Sequence, residues 1–80
     1  MSESDDIPET VQRRADRIVS LIIASDYPAI DIVIEIRRLH RYVEDHMPEK
    51  VRLFEMVYES RFRRLWAQFR QDDEGPLPEW

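Results

Sequence analysis

The apolar positions of this 80-residue chain fall into three periodic stretches separated by prolines. In the first, Val11, Ala15, Ile18, Leu21, Ile22 and Ser25 recur on one side at about 100° per residue, the spacing of a helix with one buried face. Val19 and Ile23 widen that face, while Arg13, Asp16, Arg17 and Ser20 lie away from it. Pro8 suits a first helical turn, with Asp6 or Ile7 at the cap and Glu9 complementing the helix dipole. The stop comes at Ser25-Asp26-Tyr27, because Pro28 disfavours αR geometry at its neighbour, and Ser25 or Asp26 can cap the next helix.

The middle stretch admits two readings. Ile30, Ile32, Ile34 and Ile36 alternate with Asp31, Val33 and Glu35, as in a half-buried strand. The alternation fails at Arg37-Arg38, whereas a helical stripe of Ala29, Ile32, Val33, Ile36, Leu39, His40, Val43 and Met47 covers the whole stretch with one rule. A helix is therefore expected, with Ile30 and Ile34 forming a second small patch. In the third stretch Val51, Phe54, Tyr58, Phe62, Leu65 and Phe69 make the stripe, Trp66 flanks it, and Leu53, Met56 and Val57 add a patch near the start.

Composition supports a helical reading. The single glycine, Gly75, lies near the C-terminus and there is no Asn, so tight β-hairpin turns lack their usual residues. Short connections at residues 25–28 and 46–48 make neighbouring helices antiparallel. The expectation is an all-α fold in one domain: three helices near residues 8–25, 28–46 and 48–71 in an up-down-up bundle, with extended acidic tails at 1–7 and 72–80. No apolar run approaches the roughly 18 residues of a membrane span, and the acidic N-terminus is unlike a signal peptide, so a cytoplasmic protein is expected.

The net charge of −5 hides a partition. The two ends, 1–9 and 72–80, carry eight of the seventeen acids, leaving nine against all twelve bases between them. Eleven of the bases are arginine, ten of them in clusters at Arg13, Arg14 and Arg17, at Arg37, Arg38 and Arg41, and at Arg61, Arg63 and Arg64 with Arg70 beyond. The first two clusters would lie together in an antiparallel helix pair, making a candidate anion or nucleic-acid patch. Against this, Glu44, Asp45, Glu49 and Glu55 lie at the same end and are expected to pair with those arginines.

Little else suggests chemistry. There is no cysteine, no HExxH-like pattern and no Gly-rich phosphate loop. His40 has Glu44 at i+4, a spacing that can present two ligands, but its place in the apolar stripe favours a hydrogen-bonded core histidine. His46 suits a helix C-terminus, where imidazolium complements the dipole. No catalytic, cofactor or metal site is assigned. The functional expectation is a non-catalytic, self-associating interaction protein, a homodimer, with Met56, Tyr58, Trp66, Phe69 and Trp80 on the contact surface and Arg63 and Arg70 at its rim. A nucleic-acid-binding or regulatory protein using Arg13, Arg14, Arg17, Arg37, Arg38 and Arg41 is the alternative.

Overall fold

The computed structural model describes residues 7–24 and 26–78. All regular structure among them is helical: α1 (Glu9–Ala24), α2 (Ala29–His46), a 3-10 turn (Pro48–Lys50), α3 (Val51–Phe54), a π-helical segment (Glu55–Glu59), α4 (Ser60–Phe69) and α5 (Gln71–Glu74). The alternating isoleucines thus belong to a helix. Pro28 starts it, its carbonyl accepting from the Asp31 and Ile32 amides. The missing Pro amide costs nothing at that position.

The first two helices keep the main stripes expected of them, although Ile23, expected to widen the face of α1, is exposed. Val11, Ala15, Ile18 and Ile22 of α1 meet Ile32, Ile36, Leu39 and Val43 of α2 in a core completed by Phe54, Tyr58, Phe62 and Trp66. Helix α1 packs against both α2 and α4, and α2 packs against α3. The core extends to Ile7, placed by sequence in an N-terminal tail. It is buried, and the Gln12 side chain donates to its carbonyl at 2.7 Å. The cap assigned to Asp6 or Ser25 lies outside the described residues.

The third stretch departs from a single helix over 48–71. Phe54, Tyr58, Phe62, Trp66 and Arg70 form a buried series four residues apart throughout, with Glu59 buried beside it. In a regular α-helix each such step overruns a full turn by about 40°, which would carry Arg70 to the opposite side. The π-helical segment takes back part of that rotation, its amide-to-carbonyl bonds reaching one residue further, as from Ser60 to Glu55. Trp66 and Arg70 consequently turn inward, while Leu65 is half-buried and Phe69 largely exposed.

The C-terminal segment is not the extended tail expected from residue 72. Helix α5 covers Gln71–Glu74, and Gly75 ends it at φ +75°, a conformation that costs glycine no steric clash. The chain then folds back on the body: Trp66 Nε1 donates to the Gly75 carbonyl at 2.8 Å, and Leu77 packs on the core.

Candidate functional site

The π-helical segment faces α2 at His40. Glu55 and Glu59 lie at its two ends, and Glu59 is one of two buried charged side chains among the described residues. Its Oε2 is 2.8 Å from His40 Nδ1. The other ring nitrogen, Nε2, faces Glu44 Oε2 at 3.5 Å and Glu55 Oε2 at 3.7 Å. One imidazole is thus ringed by three carboxylates from two elements. The Phe54 ring closes the inner side, edge-on at 6.2 Å between centroids.

The electrostatics follow from this arrangement. Burial alone would lower the His40 pKa. The hydrogen bond to Glu59 and the charges of Glu59, Glu44 and Glu55 outweigh it, holding the imidazole above the ordinary histidine value. Since an ionised carboxylate only accepts hydrogen bonds, a neutral His40 carries its proton on Nδ1, and the Nε2 lone pair points at Glu44 and Glu55. Sequence placed His40 as a hydrogen-bonded inner histidine with Glu44 beside it. It missed Glu55 and Glu59, whose approach depends on the pairing of α2 with the π-helical segment.

On the solvent side of the histidine, an open hollow on α2 is lined by Arg37, Arg38, Arg41, His40 and Glu44. A smaller one, between α1 and α2, is lined by Arg14, Arg17, Ile18, Leu21 and Glu35. Arg14 also stacks over the Tyr42 ring at 5.4 Å. Arg38 lies one turn from both Glu35 and Tyr42, which brings that residue of the second cluster toward Arg14 and Arg17 along the α1–α2 seam. The expected neutralisation by acids is not found. Glu44 and Glu55 turn to His40, Arg13 pairs with Glu9 within its own helix, and Arg17, Arg37, Arg38 and Arg41 have no ion-pair partner among the described residues.

The contact surface expected from sequence is divided. Met56 and Phe69 are exposed, as is Arg63. Tyr58, Trp66 and Arg70 are buried and belong to the interior rather than to a surface. Burial together with the Asp16 charge, partly opposed by Arg61, raises the Tyr58 pKa. Arg70 lies over the Trp66 ring at 5.1 Å and donates from Nη2 to the Tyr27 carbonyl. Trp80 lies outside the described residues. Apolar residues absent from that surface stand open as well: Ile23 and Val57, and on α2 Ile30 at 62% and Ile34 at 38%.

Comparison with protein-family models, with curated proteins and with solved structures finds no match to this chain.

Proposed function

We propose that this chain is a small non-catalytic interaction protein that self-associates through the outer face of α2. The reading treats α1, α2 and the run from α3 to α4 as three antiparallel arms of one bundle. The observation that carries it is the exposure of Ile30 and Ile34, one turn apart on α2. Both sit on a stripe that continues through Arg37 and Arg41, at spacings of 4, 3 and 4. An aliphatic pair with arginines at its margin matches the core and rim of a protein interface. Full burial of an isoleucine contributes about 1.5–3 kcal/mol, so two such residues on each copy give a useful driving force to pairing. Met56, Val57 and Phe69 add exposed apolar surface on the third arm.

Sedimentation equilibrium from 5 to 500 μM tests this reading. A concentration-dependent dimer is expected, and Ile34→Glu with Ile30→Glu should shift it to monomer while leaving helicity intact. A wild-type chain that stays monomeric throughout sinks the proposal, as does a double variant that dimerises unchanged.

A second reading, binding of nucleic acid or another polyanion, is favoured by the seam of arginines without ion-pair partners. It predicts retention on heparin that falls steeply with salt, and weaker retention for Arg38→Glu. Elution at low salt, or retention indifferent to that substitution, removes it.

A further inference from the structure

The carboxylates around His40 outnumber the single imidazole they face. Glu44, Glu55 and Glu59 contribute three negative charges. All three face the imidazole, which supplies a single positive charge when protonated and none when neutral. Three carboxylates thus share one imidazole at close range, with Arg37, Arg38 and Arg41 lining the adjacent hollow.

The geometry of this set has the form of a metal site. The buried Glu59 accepts the Nδ1 proton at 2.8 Å and so fixes the ring orientation and tautomer, as carboxylates do behind metal-binding histidines. Once the ring is neutral, Nε2 is a nitrogen donor with carboxylate oxygens at 3.5 and 3.7 Å, so an ion binds there in place of a proton. Ligands held about 2.0–2.2 Å from an ion at near-tetrahedral angles stand about 3.5 Å apart, close to the two nitrogen-to-oxygen separations found here. Donor atoms of His40, Glu55 and Glu59 all lie within 4.8 Å of one another, and Glu44 joins that group through its approach to Nε2. Glu44 and Glu55 are each about half exposed, so both can adjust by rotamer changes that leave the backbone in place.

We propose that this set binds one divalent transition-metal ion through His40 Nε2, Glu44 and Glu55, with Glu59 positioning the imidazole from behind. One nitrogen with two carboxylates suits Zn²⁺ or Mn²⁺ better than Ca²⁺ or Mg²⁺, which favour all-oxygen surroundings. Three protein ligands leave a position open on the side of the hollow that carries Arg37, Arg38 and Arg41, where water or an anion completes the shell. The ligands are distinct from the apolar centre of the α2 self-contact, since Ile30 and Ile34 supply none, although Arg37 and Arg41 border both.

Calorimetric titration of the full-length, chelator-stripped chain with Zn²⁺, Mn²⁺ and Mg²⁺ is the test. One Zn²⁺ or Mn²⁺ per chain is expected, with Mg²⁺ at least tenfold weaker. Glu44→Gln and Glu55→Gln alter half-exposed side chains and should weaken binding more than tenfold without loss of helicity. Glu59→Gln should weaken it about 10–100-fold, the usual effect of removing a histidine's supporting carboxylate. On Zn²⁺ addition the His40 Nε2 resonance should shift strongly and that of His46 should not. The proposal is overturned if no stoichiometric binding of Zn²⁺ or Mn²⁺ is seen at 1 mM, or if binding survives both Glu44→Gln and Glu55→Gln unchanged.

Discussion

Arg70 Nη2 donates a 2.6 Å hydrogen bond to the backbone carbonyl of Tyr27, joining the end of α4 to the connection between α1 and α2 across 43 positions of sequence. The guanidinium is 1% exposed and otherwise imperfectly satisfied. Its Nε is 3.2 Å from Glu74 Oε2 without hydrogen-bond alignment, and Nη1 has no acceptor among the described residues. This contact adds a polar tie between α4 and the α1–α2 connection, beside the apolar contacts of the core.

Arg70→Ala removes the hydrogen bond, the stacking on Trp66 and the packing of the stem, and should cost about 3 kcal/mol or more of unfolding free energy. Arg70→Met keeps the stem and removes a charge that is not fully paired, so it should cost clearly less than alanine. Urea unfolding followed by circular dichroism orders the two variants. Equal losses would show that the polar contact alone matters.

His40 predicts a pH dependence of stability. Its folded pKa is raised, so protonation favours the native state. The contribution is complete below the unfolded value of about 6.5 and is lost as pH rises through the higher folded value. In chelator-containing buffer, wild type should lose stability relative to His40→Gln over that window. The titration of the His40 ring, followed by NMR, should have its midpoint above that of a free histidine. A midpoint at or below it would contradict the arrangement of the three glutamates.

Trp66 reports on the C-terminal segment. In a Trp80→Phe background its emission comes from a buried indole bonded to the Gly75 carbonyl and covered near Leu77. Leu77→Ala should red-shift that emission and cost about 1–2 kcal/mol, less than a fully buried leucine because Leu77 is only partly covered. An unchanged spectrum and stability would show that the segment does not shield the ring.

The faces of α1 and α2 were legible because a 3.6-residue period is a local property, and Pro8, Pro28 and Pro48 mark the joints. In the third stretch two stripes compete. The spacing 3, 4, 4, 3, 4 through Leu65 and Phe69 fits a regular helix, while the steps of four through Trp66 and Arg70 fit an underwound one. The hydrophobic rule favoured Phe69 over Arg70, yet a long stem, a ring to stack on and a free carbonyl make arginine the better filler at that point. The run of fours was the available signal. Glu59 could not be read in this way. Its burial depends on an imidazole 19 positions away, and local periodicity says nothing of a partner supplied by another helix.

The π-helical segment bears on changes of chain length. A wide turn inside a helix accommodates about one residue more than an α-helix needs between the same flanking faces. Loss of one residue within 55–59 would therefore let that stretch revert to regular winding with Phe54 and Phe62 still directed at the core. The same deletion inside α2 would rotate everything beyond it by about 100° and turn Ile36 or Leu39 toward water. The chain can thus shorten at this one place and keep its interior. What it would give up is the alignment of Glu55 and Glu59 with His40.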